Sequence, residues 1–338
     1  MRATAIVVLS AVVSVGSAQT VQVNAGQTLT VDDLDAGSFA GQTFELGPST
    51  TFEVNEGGAI GPLPGSSVPV APVDFGGATI NINAGGTLLA DRPNKAQIAN
   101  ATLNVNDGAT VGSFVTLYQG AQAFVTGGEV ASFFRARDGG MIFATGGAIA
   151  SLSLPPSISD AGASAEIDGA TVGFMEVTFR SEAVIRSGVF TGAFVAEGDV
   201  TVRGGRFLSR FESDFGTNHF FVTSAILNGE PIDLALDETI EIGEVRTDVI
   251  DLVLADGAPL QLTFDLFDDP TLLLTLVEGP CNLADQAEPF GQFDVADVVS
   301  FLESFGDAAL AADLAAPIGT LDVADVVTFL QAFGAGCP

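Results

Sequence analysis

Apolar and polar residues alternate with a period of two in short segments that each end in glycine, which is typical of β-strands followed by tight turns. These segments recur every 17 to 22 residues, as "LNVNDG", "AFVTGG", "IFATGG", "AEIDG", "AVIRSG" and "VTVRGG". One phase of the alternation is aliphatic throughout: Val105, Val125, Ala144, Ile167, Ile185 and Val202. The next position is always polar: Asn106, Thr126, Thr145, Asp168, Arg186 and Arg203.

This repeat predicts a parallel β-solenoid, or β-helix, in which the aliphatic column stacks inward at about 4.8 Å per coil. A second apolar column follows each glycine corner: Val111, Val130, Ile149, Val172, Phe190 and Phe207. The chain holds 26 phenylalanines but no tryptophan, and we expect phenylalanine to fill the wide interior. We assign residues 19–215 to the solenoid, because "FEVNEGGAI" at 52–60 also fits the pattern.

The pattern changes after residue 215. The segments "HFFVTSAILNGEPIDLAL" and "DVIDLVLADGAPLQLTFDL" contain the turn dipeptides "NG" and "DG", which favour antiparallel hairpins. An open last coil exposes unpaired strand edges, so we expect residues 216–278 to form an antiparallel β cap and a linker. The linker before the C-terminal unit is expected at Asp268, Asp269 and Pro270.

The first residues indicate export. "MRATAIVVLSAVVSVGSA" combines Arg2, an apolar run and small residues, so residues 1–18 are predicted to be a signal peptide. We therefore expect a secreted protein, extracellular or attached to the cell surface. No later apolar run reaches the ~18 residues of a transmembrane helix, so we expect no membrane span.

The net charge of the chain limits the kinds of partner that it can bind. The sequence has 42 acidic and 11 basic residues, a formal net charge of −31, which repels nucleic acid and anionic membranes. Only 16% of the residues are charged while 47% are hydrophobic, a balance that indicates a packed protein and not a disordered acidic chain.

The C-terminal region is a tandem repeat: "FGQFDVADVVSFLESFG" at 290–306 returns as "IGTLDVADVVTFLQAFG" at 318–334. With Gly291 and Gly319 at position 6 of an EF-hand loop, the next two aspartates of each copy take positions 9 and 12. Both loops are one residue longer than an EF-hand before that glycine, and few carboxylates occupy positions 3 and 5. The candidate calcium ligands are Asp285, Asp294, Asp297, Asp313, Asp322 and Asp325.

A second interpretation of these aspartates stays open. Asp294 and Asp322 are placed as helix N-caps, and Asp297 and Asp325 would favour the positive helix end. Each following helix is predicted to have one apolar face, formed by Val295, Val298, Val299, Leu302 and Phe305 in the first copy and by Val323, Val326, Val327, Leu330 and Phe333 in the second. The only cysteines, Cys281 and Cys337, bracket both copies, so in an oxidising compartment we expect a disulfide worth about 4 kcal/mol.

Residues 279–338, with the ending "AFGAGCP", resemble a GC-type dockerin domain, a divergent bacterial form of the dockerin family. The resemblance implies a calcium-ordered helix pair that docks onto a cohesin-like receptor on a scaffold or cell surface. It implies that Val295 and Ala296, with Val323 and Ala324, help to select that receptor. Because the two pairs are identical, two equivalent docking orientations are expected.

For the solenoid we weigh two functions. Many β-helices are polysaccharide lyases or hydrolases, and the arginines Arg135, Arg137, Arg186 and Arg203 could form a stripe that binds an anionic sugar. The alternative role of these arginines is to neutralise an acidic surface. The only histidine, His219, lies beside Phe220 and Phe221 and is interpreted as a packing residue, so no Ser/His/Asp triad can be proposed.

The sequence therefore predicts a mainly β protein: a parallel β-solenoid with an antiparallel β cap, followed by a small all-α helix pair. Its predicted function is a non-enzymatic surface or glycan-contacting protein, anchored through its C-terminal module. The alternative is a polysaccharide-active lyase or hydrolase delivered by the same module.

Overall fold

The computed structural model describes residues 19–29, 33–34, 37–40, 42–43, 45–61, 72–90, 96–156, 161–243, 248–264, 270–287, 291–306, 312–315 and 320–337. The predicted signal peptide, the linker residues Asp268 and Asp269, and Gly319 of the second loop lie outside these ranges.

Short strands separated by turns make up the described chain from Gln19 to Phe215. In order they are β1 (Gln19–Val23), β2 (Thr28–Leu29), β3 (Ser38–Phe39), β4 (Gln42–Thr43), β5 (Thr50–Val54), β6 (Ala59–Ile60), β7 (Val73–Ile82), β8 (Thr87–Leu88), β9 (Ala96–Val105), β10 (Thr110–Val111), β11 (Val115–Leu117), β12 (Gln122–Val125), β13 (Glu129–Val130), β14 (Phe134–Ala136), β15 (Met141–Ala144), β16 (Ala148–Leu154), β17 (Ser164–Ile167), β18 (Thr171–Val177), β19 (Glu182–Ile185), β20 (Val189–Phe190), β21 (Phe194–Ala196), β22 (Asp199–Val202), β23 (Arg206–Phe207) and β24 (Phe211–Ser213).

The remaining elements form the cap and the C-terminal helices. They are β25 (Thr217–Leu227), β26 (Glu230–Pro231), β27 (Thr239–Ile242), β28 (Val249–Leu254), β29 (Pro259–Thr263), β30 (Thr271–Leu276), α1 (Val295–Gly306) and α2 (Val323–Ala335). None of the described helices is long and apolar enough to cross a membrane.

Successive coils pair in parallel and confirm the predicted solenoid. Sheet 1 runs through β1, β5, β7, β9, β12, β15, β17, β19, β22, β25 and β30. Sheet 2 runs from β2 to β23 and is formed by the short segments that follow the glycine corners, which are two-residue strands except in β16 and β18, where they are the first residues of longer strands. The sequence pattern did not predict sheet 3. It contains the short strands β11, β14, β21 and β24, together with the first residues of β9 and the last residues of β16 and β18.

The inward column is buried as predicted. Val105, Val125 and Ile185 of sheet 1 are fully buried, and the same holds for Val111 and Val172 of sheet 2. Each inward side chain lies directly over its equivalent in the next coil, since the paired strands keep the same register. One continuous hydrophobic core therefore runs from the first coil into the cap.

Fully buried phenylalanine side chains enter this core along the solenoid, from Phe52 onward, and are most frequent near its C-terminal end. The rings of Phe190 and Phe207 stack with centroids 4.6 Å apart, and those of Phe194 and Phe211 stack at the same distance. Other phenylalanines face outward, among them Phe133 and Phe179. The expectation that phenylalanine serves the interior was therefore wrong for part of the set, because these two residues lie in connections between strands and not at inward strand positions.

Asparagine side chains form a ladder at the first turns of sheet 1. The amide nitrogen of Asn55 donates to Asn24 Oδ1 at 3.1 Å, Asn83 donates to Asn55 at 3.1 Å, and Asn106 donates to Asn83 at 2.9 Å. The two middle amides, Asn55 and Asn83, both donate and accept along the solenoid axis, so this polar column holds neighbouring coils together from outside the core.

The cap has the predicted hairpins. β25 turns through Asn228 and Gly229, both with positive φ, into antiparallel β26, as expected for an "NG" turn. β28 and β29 are antiparallel across the "DG" turn, and β28 also pairs with β25. The cap also extends the solenoid, since β25 pairs in parallel with both β22 and β30.

A half-buried aspartate fastens the cap to the last glycine corner of the solenoid. Asp256 Oδ2 accepts a hydrogen bond from the Gly205 N–H at 2.6 Å, and its Oδ1 accepts from the Ala258 N–H at 3.0 Å. A Cβ at Gly204 would lie 2.5 Å from the Asp256 carboxylate. Glycine at this corner is thus required by the approach of the cap.

Candidate functional site in the C-terminal helix pair

The helix pair has a small core of its own. Phe301 of α1 and Phe329 of α2 are buried and stack with their ring centroids 4.1 Å apart, next to Ala284 and Ala312. The four residues occupy equivalent positions in the two sequence copies. The pair is therefore built as two matching halves with this aromatic stack at its centre.

The last aspartate of each loop is buried and accepts three backbone hydrogen bonds. Asp297 accepts from the N–H groups of Gln286 at 2.8 Å, Ala287 at 3.0 Å and Asp294 at 2.9 Å. Each such bond to a charged acceptor is worth more than a neutral one, so Asp297 holds the preceding loop against the helix.

The second copy repeats this arrangement. Asp325 accepts from the N–H groups of Leu314 at 2.8 Å, Ala315 at 2.7 Å and Asp322 at 2.8 Å. These backbone donors, that of Asp322 first, hold the pKa of Asp325 below its ordinary value, against the opposing effect of burial.

Two further aspartates cap the helices. Asp294 Oδ1 accepts from the Ala296 N–H at 2.6 Å, and Asp322 Oδ1 accepts from the Ala324 N–H at the same distance. At α2, Asp322 and Asp325 together form a capping box. The capping interpretation thus accounts for the positions of four of the six candidate calcium ligands.

Asp285 is the remaining buried carboxylate. Its Oδ2 accepts from the N–H groups of Cys281 and Gly291, both at 2.7 Å. Its Oδ1 is buried and has no hydrogen-bond partner among the described residues. The equivalent Asp313 is half-buried.

This geometry does not fit an EF-hand ligand shell. A calcium loop requires both oxygens of its last carboxylate for the ion, whereas both oxygens of Asp297 and Asp325 accept N–H donors. Atoms of Cys281, Asp285 and Cys337 lie within 4.8 Å of one another, but disulfide sulfurs are not the thiolates that bind metals. Calcium binding therefore stays a prediction.

The predicted disulfide is present. Cys281 and Cys337 are bonded, with their Cα atoms 5.4 Å apart. The side-chain amide of Asn282 donates to the carbonyl of Ala332 at 3.0 Å and to that of Gly336 at 3.3 Å. The start of the module is thereby joined to its end.

The apolar face predicted for each helix is in fact two faces. Val298 and Phe305 of α1, and Val326 and Phe333 of α2, pack against the core. The other three predicted residues of each helix are exposed. They are spaced by four and three positions, so they form a second stripe that runs along the helix beside the buried one. The exposed stripes are Val295, Val299 and Leu302 on α1, and Val323, Val327 and Leu330 on α2.

These two stripes are the main candidate interaction surface. Each of the six residues is between 45% and 76% exposed. The predicted receptor-selecting residues lie at the start of the stripes: Val295 and Val323 are the most exposed of the six, Ala296 is exposed and Ala324 is half-buried. Single exposed apolar residues are common on protein surfaces, but several of them clustered together often mark an interaction site.

The four candidate arginines of the solenoid do not form one stripe, because they lie on two sheets. Arg135 of β14 lies on sheet 3 over the ring of Phe133, and Arg137 donates to the Pro156 carbonyl at 3.0 Å. Arg186 and Arg203 adjoin sheet 1 in consecutive coils, as predicted.

Each of the two arginines beside sheet 1 contacts a neighbouring side chain of the solenoid. Arg186 Nε lies 2.6 Å from Glu166 Oε1, and the Arg203 guanidinium lies 3.9 Å from the centre of the Phe221 ring. The Glu166 carboxylate neutralises Arg186 locally, in keeping with the surface-neutralising interpretation, while Arg203 makes a cation–π contact.

His219 packs on the outside of the last coil. Its ring lies 4.4 Å from that of Phe221, and its Nε2 forms a hydrogen bond with Thr275 Oγ1 at 2.7 Å. Burial, with a smaller contribution from nearby Arg203, lowers the pKa of His219 from its usual value. A neutral, hydrogen-bonded imidazole agrees with the predicted packing role.

The sequence pattern did not single out Phe124 and Phe143, whose rings stack on the outer side of sheet 1. The signal was present, since each lies between two inward residues of its strand.

No protein-family model, curated protein or solved structure matches this chain.

Proposed function

We propose that this protein is a secreted, non-enzymatic β-solenoid that contacts glycans and is held to a protein receptor by its C-terminal helix pair. The observation that carries the attachment is the pair of equivalent apolar stripes on α1 and α2. They are separate from the residues that hold the two helices together, so the fold does not account for them.

The chemistry of the stripes favours a protein partner. Valine and leucine, the side chains involved, gain about 25 cal/mol for each Å² removed from water. An anionic membrane is disfavoured, because the chain has a net charge of −31. The expected receptor has an apolar groove whose rim carries basic residues.

The repetition of the stripes supports two equivalent modes of docking. Val295, Val299 and Leu302 occupy the same positions in α1 as Val323, Val327 and Leu330 do in α2. A receptor that recognises one helix can recognise the other after the module turns over. This agrees with the expectation from the resemblance to dockerins, which also implies that the receptor belongs to a scaffold or to the cell surface.

The test is capture of a receptor from secreted and envelope extracts by the mature full-length chain, compared with the double variant V299E/V327E. We expect one defined protein with the parent chain and at least a tenfold loss with the double variant, since each glutamate would be desolvated in the groove. The matched control is Thr110→Glu on the exposed surface of the solenoid.

Two further arms sharpen the result. Capture repeated with a chelator tests the predicted dependence on calcium: loss of capture supports calcium-ordered docking, and unchanged capture leaves the aspartates as caps. Equal recovery with the parent chain and V299E/V327E, or no protein recovered in any condition, contradicts attachment through the stripes.

A further inference from the structure

A shallow cavity of about 170 Å³ lies on the outer surface of sheet 1. It is lined by Phe143, Ser164, Ala165, Glu166, Glu182 and Val184, which belong to three successive coils. Drug-sized ligands require about 300–1,000 Å³, so this cavity has room for one small ring.

The cavity exists because an ion pair moves one side chain aside. Phe143, Glu166 and Val184 follow one another in the same outward column. Glu166 is drawn toward Arg186, with Oε1 2.6 Å from Arg186 Nε. Its neighbour in the same strand is the small Ser164, so a gap is left between Phe143 and Val184, which lie two coils apart, about 9.6 Å along the axis.

One wall of the gap is the face of an aromatic ring. Phe124 and Phe143 are stacked, with ring centroids 5.0 Å apart and planes within 11°. Their spacing equals that of the coils, so the stack runs along the solenoid axis. One face of Phe143 lies against Phe124, and the other is turned toward the next coil, where the cavity lies.

We propose that this cavity binds one pyranose unit of a neutral polysaccharide. The apolar side of the sugar continues the Phe124–Phe143 stack, because its C–H bonds carry partial positive charge and the aromatic face is negative. The Glu166 and Glu182 carboxylates accept hydrogen bonds from sugar hydroxyls, and the Ser164 hydroxyl can donate or accept.

The charge of the cavity decides which sugars fit. Two carboxylates and one guanidinium leave it net negative, within a chain of net charge −31. Uronic acids and sulfated sugars are therefore repelled. This reverses the earlier hypothesis of an anionic sugar held by arginines, since Arg186 serves to position Glu166.

This inference deepens the glycan-contacting half of the proposed function and rests on it alone. Attachment through the helix pair is tested with different variants, so either half can fail without the other.

The experiment is affinity electrophoresis of the mature full-length chain in gels containing xyloglucan, galactomannan or a β-1,3-glucan, with polygalacturonate as the anionic comparison. We expect retardation by at least one neutral polysaccharide and none by polygalacturonate. Phe143→Ala should weaken the retarding interaction about tenfold, the upper range of an aromatic contact.

Two more variants keep the test decisive. Ser164→Phe fills the cavity without removing the stack and should also abolish retardation, while circular dichroism confirms that it is folded. Phe179→Ala, which removes an exposed phenylalanine elsewhere on the solenoid, should leave retardation unchanged. No retardation by any neutral polysaccharide, or retardation that persists in both Phe143→Ala and Ser164→Phe, overturns the proposal.

Discussion

The solenoid and the helix pair treat their large apolar side chains in opposite ways. In the solenoid, residues such as Phe190, Phe194 and Phe211 are fully buried in a core shared by many coils. Among the described residues of the helix pair, Phe301 and Phe329 are the only large side chains that are fully buried, while seven valines and leucines are exposed, the six of the stripes and Leu283. The exposed apolar side chains of the helix pair are not used by its own core, whereas the inward apolar columns of the solenoid pack within one continuous core.

The two regions also differ in what holds them together. Each coil of the solenoid is bonded to both neighbours, so stability accumulates along the repeat. The helix pair compensates for its small core with a disulfide and with carboxylates that bind the loops. Small domains commonly need such additions, because their cores contribute little.

The largest expected effect is the loss of stability when a buried phenylalanine is removed from the core of the solenoid or from that of the helix pair. Replacing Phe211 or Phe329 with alanine should each cost about 3–5 kcal/mol of unfolding free energy. We expect F211A to lower the melting temperature of the solenoid while the protein still folds, and F329A to unfold the helix pair. Differential scanning calorimetry should show two transitions, of which each variant moves one.

A single transition that both variants shift equally would contradict this separation. Phe179→Ala on the exposed surface is the control, and it should leave both transitions in place.

The next effect concerns the disulfide. Replacing Cys281 and Cys337 with serine should destabilise the helix pair by about 4 kcal/mol, because the unfolded chain regains the freedom of a long loop. The helical signal at 222 nm should then melt at a lower temperature than in the parent chain. The β signal of the solenoid should not change.

Loss of both signals together would show that the helix pair and the solenoid unfold as one unit. Reduction of the parent protein with dithiothreitol provides the matched comparison without any substitution.

The smallest effect is a pH dependence of opposite sign in the two regions. The pKa of Asp325 is lowered by backbone donors, so its contribution is full above about pH 3.9 and is lost as the pH falls through its folded pKa. The pKa of Asp256 is raised by burial, so its contribution is full below about pH 3.9 and is lost as the pH rises through its folded pKa.

Acidification from pH 6 to pH 3 should therefore lower the melting temperature of the helix pair. It should stabilise the contact between cap and solenoid that Asp256 makes. Asp325→Asn should reduce the first dependence, and Asp256→Asn the second. Calorimetry at several pH values distinguishes them, and a helix pair whose stability rises on acidification would contradict the role given to Asp325.

Much of the solenoid could be predicted from the sequence because its pattern is local. The inward phase, as in Val125 and Ile167, alternates with polar residues, and glycine marks each turn. Sheet 3 could not be predicted, since strands such as Val115–Leu117 and Phe134–Ala136 are too short to show a period. Their pairing depends on the closure of the coil, which is a property of the three-dimensional fold.

The candidate site was predicted in its parts but not in its arrangement. Helix periodicity identified the apolar residues of α1 and α2, yet it could not say which of two stripes is buried. The spacing of Asp294 and Asp297 fitted two roles, and the capping contacts could be seen only once the positions of the backbone donors were known. The cavity beside Phe143 depends on the Glu166–Arg186 ion pair between coils, which no local pattern reveals.

The most direct test of the central claim is site-specific photocrosslinking from the exposed stripes. A photoreactive phenylalanine analogue is placed at Val299, at Val327 or, as the control, at Thr110 of the solenoid, and the full-length protein is irradiated in secreted and envelope extracts. The account predicts that Val299 and Val327 crosslink to the same protein and that excess unlabelled parent chain competes for it. Crosslinking from Thr110 alone, different proteins at the two stripes, or no competable product would contradict attachment through the helix pair.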